Sequence, residues 1–309
     1  MILTVTLNTA LDITHRVPSL RPGSSHRVTE VAERPGGKGV NAARVLAALG
    51  HEVTVTGFAG GTTGRILRER LTEVPGLVDA LVPVSGTTRR IVTVLDERSG
   101  GTTRLDEPGP TVDHAEWSAF QEVYEDLLTS ASAVALCGSL PPGVPVGAYA
   151  GLVRTARAAG VPVLLDTSGA ALRRGVAGRP DILKPNAGEL AELTGFHEPL
   201  RAAQDARRRG ARTVVASLGA EGLLALGPEG HWHAAPPSRL DGNPTGAGDS
   251  AVAGLLSALV EHRPWPDRLA RATALSAATV LSPTAGDFDR RAYEELLGTV
   301  TVTEEASAA

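Results

Sequence analysis

The stretch Asn243-Pro244-Thr245-Gly246-Ala247-Gly248-Asp249-Ser250 runs directly into Ala251-Val252-Ala253-Gly254-Leu255-Leu256-Ser257-Ala258-Leu259-Val260. The second half reads as a buried helix and the first half as its entrance. Two glycines at a helix start leave backbone N–H groups bare where the helix dipole is positive, which favours an anion. Asp249 stands in the first turn, beside that cradle.

Outward from this stretch, strand-like apolar runs alternate with helix-like ones. Residues 2–7, 53–58, 133–137, 161–166, 181–184 and 213–217 read as strands. Residues 40–49, 64–71, 113–128, 146–159, 188–194 and 200–209 read as helices. Such alternation argues for a parallel sheet covered on both faces. Residues 222–226 and 231–234 form a late hairpin, with His231 and His233 expected to be exposed. Helices near 250–261 and 267–281 close the domain. Two stretches, 13–34 and 84–105, break the rhythm; they are rich in Thr, Val and Arg and carry polar breaks such as Ser99-Gly100-Gly101. The expected fold class is α/β: a three-layer α/β/α domain with a mostly parallel central sheet (1–12, 36–83 and 106–299), a small β-sheet lid (13–35 and 84–105) and a flexible tail (300–309).

Composition narrows the partners. The net charge of −4 gives no reason to expect nucleic acid or an anionic membrane. No apolar run approaches the length of a membrane span, and no signal-peptide pattern precedes Ile2. Cys137 is the only cysteine, so neither an intrachain disulfide nor a cysteine-rich zinc site can form; this fits a reducing cytoplasm. Of 30 basic residues only Lys38 and Lys184 are lysine. A compact ammonium does not substitute for a planar guanidinium in a tight site. Both lysines stand in turns marked by Gly or Pro, Gly36-Gly37-Lys38-Gly39 and Lys184-Pro185-Asn186.

In open α/β sheets ligands bind beyond the carboxyl ends of the strands. Five polar loops fall there: Asn8-Thr9-Ala10-Leu11-Asp12, Gly138-Ser139-Leu140-Pro141, Asp166-Thr167-Ser168-Gly169, Lys184-Pro185-Asn186 and Ser217-Leu218-Gly219. With the turn before Asp249 they suggest one composite cleft. An anion cradle beside a fixed carboxylate suits phosphoryl transfer to an alcohol.

On these residues the chain resembles the ribokinase-like carbohydrate kinases, in the branch containing 1-phosphofructokinase and tagatose-6-phosphate kinase. The matching pieces are Thr6-Leu7-Asn8-Thr9-Ala10-Leu11-Asp12, Pro35-Gly36-Gly37-Lys38-Gly39-Val40-Asn41, Asp106-Glu107-Pro108-Gly109-Pro110, Gly138-Ser139-Leu140-Pro141, Lys184-Pro185-Asn186 with Glu189, Ser217-Leu218-Gly219 with Gly222, and Gly246-Ala247-Gly248-Asp249. The resemblance spans nearly the whole chain, from Thr4 to about Gly286.

The resemblance implies a role for each piece. Asp249 would take the proton from the acceptor hydroxyl, while Gly246, Ala247 and Gly248 would hold the transferring phosphoryl oxygens through their N–H groups. Asp12 would accept hydrogen bonds from sugar hydroxyls; Gly36, Gly37 and Asn41 would shape the sugar site and Ser139 would contact the sugar. Lys38, Arg27 and Arg89 would clamp a phosphate already on the substrate. Lys184, Asn186, Ser217, Gly219 and Gly222 would form the ATP side, with residues 276–282 bordering the adenine. Asn186 and Glu189 would hold Mg²⁺ largely through water and the ATP phosphates. A homodimer through the lid is a further expectation, because an open lid sheet has edges to cover.

Two positions depart from the pattern. Thr9 stands where the family often has Pro. Ile91 stands where phosphofructokinase-like members commonly have Asn, which is closer to tagatose-6-phosphate kinase-like members. The leading expectation is therefore an ATP-dependent kinase acting on a ketohexose phosphate. Alternatives are a kinase of an unphosphorylated sugar or nucleoside and a non-catalytic sugar-phosphate sensor. A dinucleotide-dependent oxidoreductase is disfavoured, since no G-x-G-x-x-G follows the first strand.

Overall fold

The structure is a computed structural model that describes residues 1–238, 240, 242–282 and 287–304. Its strands are β1 (Ile2–Thr6), β2 (Ala10–Val17), β3 (Glu30–Gly36), β4 (Val53–Ala59), β5 (Leu77–Asp79), β6 (Val82–Pro83), β7 (Arg89–Asp96), β8 (Thr102–Asp106), β9 (Ala133–Cys137), β10 (Val163–Asp166), β11 (Ile182–Leu183), β12 (Thr213–Ser217), β13 (Leu223–Leu226), β14 (His231–Ala235) and β15 (Thr301–Glu304). Its helices are α1 (Lys38–Ala48), α2 (Gly61–Thr72), α3 (His114–Leu128), α4 (Ala148–Ala158), α5 (Gly169–Gly175), α6 (Ala187–Thr194), α7 (Pro199–Arg208), α8 (Ala247–Val260), α9 (Trp265–Val280) and α10 (Arg290–Leu297).

The strands form two sheets. The larger has the order β15-β14-β13-β12-β11-β10-β9-β1-β4-β5, with β6 beside β4. Neighbours from β5 across to β12 run parallel, and the β12–β13, β13–β14 and β14–β15 pairs are antiparallel. Strand side chains alternate between faces, and β9 shows how this builds two cores. Val134 and Leu136 pack into the core that includes Phe120, Tyr149 and Leu190, beneath α3, α4 and α6. Ala133, Ala135 and Cys137 pack into the core that includes Val45, Leu255 and Leu275, beneath α1, α8 and α9. The sheet is thus the middle layer of three.

Helix α8 is buried from Asp249 to Ala258. It packs tightly on α9: a Cβ at Gly254 would come within 2.6 Å of the Ala272 Cα.

The smaller sheet has the order β3-β2-β7-β8. Its register places Arg34 opposite Asp12, Asp12 opposite Ile91, and Ile91 opposite Asp106, so these four side chains share one row. Asp12 therefore stands on a lid strand, two residues inside β2, rather than in the loop after β1.

Other features differ from the sequence reading. Thr301–Glu304, expected to be part of a flexible tail, is a strand paired with β14; residues 305–309 of that expected tail, and Gly286 at the end of the resemblance, lie outside the described residues. His231, expected to be exposed, is buried at 2 %. Among the described residues no helix is long and apolar enough to cross a membrane.

Candidate active site

The carboxyl ends of β1, β9, β10, β11 and β12 open into a cleft of about 1110 Å³, roofed by the small sheet and bounded by the start of α8. The chain order reverses between β1 and β9, where ligands of open α/β sheets gather. All the residues expected at the site line this cleft except Arg27 and Gly36. Arg27 is exposed, outside the strands of the small sheet. Gly36 lies against Asp12: a Cβ there would come within 2.2 Å of the Asp12 carboxyl carbon. It is glycine because the carboxylate occupies the space of a side chain.

Asp249 is 8 % exposed, in the first turn of α8. Asn41 of α1 donates from Nδ2 to Asp249 Oδ2 at 2.8 Å, which orients the carboxylate. Burial pushes the Asp249 pKa up to about 6; the nearby Asp166 adds to this, while the Asn41 bond, Lys38 and Lys184 pull it back. Helix α8 starts at Ala247, capped by Gly246 in the left-handed region at φ 88°. The Ala247 amide, expected to be a donor to the anion, instead donates to the Pro244 carbonyl at 3.1 Å. Gly246 and Gly248 line the cleft without a backbone acceptor among the described residues. A Cβ built at Gly248 would meet only Lys184 Nζ, at 3.6 Å.

The two lysines of the chain meet on one carboxylate. Lys38 Nζ lies 3.0 Å from Asp166 Oδ1, and Lys184 Nζ lies 3.5 Å from Asp166 Oδ2. Asp166 and Lys184 are 1 % and 3 % exposed. Lys38 also approaches Glu189 Oε1 at 3.9 Å. Burial opposes the Lys38 charge, but Asp166 and Glu189 outweigh it and raise its pKa. Asp166 follows β10 in one of the expected loops, yet nothing in its sequence context marks it as the partner of both lysines.

Asn186 and Glu189 form a reciprocal cap on α6. Asn186 Oδ1 accepts from the Glu189 amide at 2.8 Å, and Glu189 Oε2 accepts from the Asn186 amide at 2.9 Å. Only Glu189 Oε1 is left to face the cleft. Among the described residues no group of three His, Cys, Asp or Glu side chains could hold a metal ion. This donor set fits Mg²⁺ held by one carboxylate and several waters, a common arrangement for that ion.

The lid end carries Asp12, Arg89, Arg104 and Asp106. Burial raises the Asp12 pKa to about 6, opposed by Arg104, Arg89 and Arg44. Arg89 donates to the carbonyls of Asn8 and Glu107 at 3.2 and 3.3 Å. Arg104 pairs with Asp106 at 2.8 Å. Sequence reasoning missed Arg104 as a lining residue; β-alternation from Asp106 would have placed it there. Arg90 points to the opposite face and pairs with Glu107, while Ile91 is buried in the cleft wall. Behind Asp12, Asp287 joins Arg34 of β3 to Arg44 of α1.

A layered α/β domain, a lid sheet and a helix start carrying two glycines and a buried aspartate together define a sugar kinase of the ribokinase-like fold. The chain matches the pfkB family carbohydrate kinases over residues 3–290 and belongs to that family. A mutant of phosphofructokinase-2 from Escherichia coli has 30% identity and TM-score 0.89, with 96% of this chain and 98% of that chain covered. The same enzyme in complex with fructose-6-phosphate has 29% identity and TM-score 0.85 over the same shares, 96% and 98%. A Thermotoga maritima protein described as a possible 1-phosphofructokinase has 28% identity and TM-score 0.90, covering 99% and 100%. This chain is therefore a carbohydrate kinase with structural similarity to phosphofructokinases, a phosphotransferase acting on a sugar hydroxyl with ATP as phosphate donor.

Proposed function

We propose that the protein transfers the γ-phosphoryl group of ATP to a hydroxyl of a ketohexose phosphate, in the manner of a 1-phosphofructokinase giving fructose 1,6-bisphosphate. The observation that carries this reading is the buried Asp249, oriented by Asn41 and placed in one cleft with Gly246, Gly248, Lys184 and Asp12. Asp249 accepts the proton of the attacking hydroxyl as its oxygen bonds to the γ-phosphorus and the γ-phosphorus–oxygen bond to the leaving ADP breaks. The amides of Gly246 and Gly248 and the ammonium of Lys184 stabilise charge on the phosphoryl oxygens. Asp12 accepts hydrogen bonds from the sugar and fixes which hydroxyl faces Asp249. Ser139, Gly37 and Asn41 complete the sugar site, and Ser217, Gly219, Gly222 and Asn186 border the triphosphate. Glu189 Oε1 would hold Mg²⁺ through water, and the ion would neutralise phosphate charge.

A phosphorylated acceptor is supported by Arg89 and Arg104 at the lid end, and by the fructose-6-phosphate complex of the E. coli relative. Ile91 in the cleft wall supports the alternative within this reading, a tagatose-6-phosphate kinase, because it resembles those members at that position. One observation favours an unphosphorylated sugar instead: Lys38 is matched by Asp166 and Glu189, and Arg27 lies off the cleft, so the expected clamp does not assemble within one chain. Pairing of two copies through the lid is part of this proposal; Val31 and Leu105 stand 56% and 60% exposed on its strands.

An ADP-release assay with fructose 1-phosphate, fructose 6-phosphate, tagatose 6-phosphate and free sugars decides between these acceptors. Turnover of free sugars alone would refute the phosphorylated-acceptor reading. Absence of turnover with every acceptor would favour a sensor.

A further inference from the structure

Asn8 is a buried polar residue of the cleft with no part in the chemistry described above. It stands between β1 and β2, 5 % exposed, where the chain leaves the large domain for the lid. Its Nδ2 donates to the Pro108 carbonyl and to Ser139 Oγ, each at 3.1 Å. Pro108 lies between β8 and α3, where the chain returns from the lid. Asn8 Oδ1 rests against Gly109, where a Cβ would come within 2.2 Å of it, so only a bare glycine lets the carboxamide in.

These contacts fix the direction of the protons. A carbonyl only accepts, so the end of the carboxamide that faces Pro108 is the nitrogen. That nitrogen has no lone pair, and its second proton goes to Ser139 Oγ. The Ser139 hydroxyl is therefore an acceptor towards Asn8, and its own proton is turned away. That proton has no acceptor among the described residues, and Ser139 lines the cleft. The main chain of Asn8 is held as well: Arg89 of β7 donates from Nε to the Asn8 carbonyl at 3.2 Å and from Nη1 to the Glu107 carbonyl at 3.3 Å. One crossing into the lid and one crossing out of it thus meet on Asn8, whose carboxamide keeps its place only while residues 107–109 are in position.

We infer that Asn8 is a positioning residue for the acceptor sugar: its carboxamide turns the Ser139 hydroxyl into the cleft as a donor, so that Ser139 recognises a substrate oxygen that accepts. The inference rests on the sugar-site reading above and names what orients that site. It applies to a phosphorylated and to a free sugar alike, since both offer such an oxygen.

Steady-state ADP release by the full chain tests this, with fructose 1-phosphate, fructose 6-phosphate, tagatose 6-phosphate and free fructose as acceptors, and with acceptor and ATP varied in turn. For each acceptor that wild type turns over, Asn8→Ala and Ser139→Ala should each raise the acceptor KM ~3–10-fold and change the KM for ATP by less than about twofold. Adding Ser139→Ala to Asn8→Ala should raise the acceptor KM by less than about twofold more, because the hydroxyl has already lost its direction. Asn8→Asp has the same size but only accepts, and should raise the acceptor KM at least as much as Asn8→Ala. Effects that multiply in the double variant overturn the inference, since Asn8 and Ser139 then act independently. A wild-type acceptor KM in Ser139→Ala or Asn8→Asp overturns it, as does an equal rise in KM for ATP, which marks a general loosening of the cleft. Turnover of free fructose alone refutes the phosphorylated acceptor, and the same comparison is then read on fructose. Absence of turnover with every acceptor overturns both readings. Melting midpoints above the assay temperature show that the variants are folded; if Asn8→Ala is not, Asn8→Asp carries the comparison.

Discussion

Replacing Asp249 with Asn should disable the protein and stabilise it at the same time. The carboxyl is buried, and its pKa stands at about 6 against an ordinary value of 3.8. The gap is about two pKa units, or about 3 kcal/mol of penalty for holding the charge in the folded state at neutral pH. Asn removes the charge and keeps an oxygen to accept from Asn41. The sign of the pH dependence follows from which state binds the proton. Below pH ~4 the acid is neutral in both states and carries no penalty. As pH rises from ~4 to ~6 only the unfolded chain ionises freely, so wild type loses stability through this window, and above it the loss is complete. Asp249→Asn should therefore melt about 6 °C above wild type at pH 7.5, taking ~2 °C per kcal/mol for a chain of this size. That advantage should vanish at pH 4. Turnover should fall ~10²–10⁴-fold through loss of general-base action. Scanning fluorimetry at both pH values and an ADP-release assay read the two effects. A variant with no stability gain at pH 7.5, or one whose gain persists at pH 4, refutes the account of a strained buried base; near-normal turnover refutes its role.

Other outcomes follow from the same geometry. Gly248→Ala meets only Lys184 Nζ at an ordinary contact distance and occupies a helical position; it should fold as well as wild type or up to about 1 kcal/mol better, yet lose most of its turnover because the methyl enters the phosphate cradle. Asp166→Asn strands the nearly buried ammonium of Lys184 and leaves Lys38 with Glu189 alone, and should cost about 3–5 kcal/mol in chemical denaturation. In wild type, log kcat/KM should bend down below pH ~6 with a slope approaching two, because Asp249 and Asp12 titrate together; Asp12→Asn should reduce the limiting slope to about one. Asn41→Ala removes a bond that favours the charged Asp249, so its acid limb should shift to higher pH.

Much of this site is legible in the linear order of residues. The scarcity of lysine singles out Lys38 and Lys184, and the structure brings both to Asp166. The glycine-marked turn before Asp249 predicts a helix start in the cleft, because glycine spacing and the following apolar run are local signals. Contacts between distant segments are not local, and these are what the sequence hides. Asp166 reads as one polar residue among several at strand ends. Asn8 stands in a short turn, and no local signal names its partners Pro108 and Ser139, each a hundred or more residues further on. Arg27 falls on the lid by position, yet being in the same layer does not place a side chain over the cleft. The last strand escapes notice because Thr301–Glu304 is short, and only the exposed edge of β14 tells it to pair.

Cys137 is fully buried on β9, in register with Thr6 of β1 and Asp166 of β10, and burial drives its thiol pKa well up. As the sole thiol, it makes the untouched chain its own gauge of breathing motions: a maleimide or disulfide reagent can modify the protein only when the middle of the central sheet opens. Modification rates would then measure the free energy of that opening, and each substrate that seals the cleft would slow them in proportion to how tightly it binds.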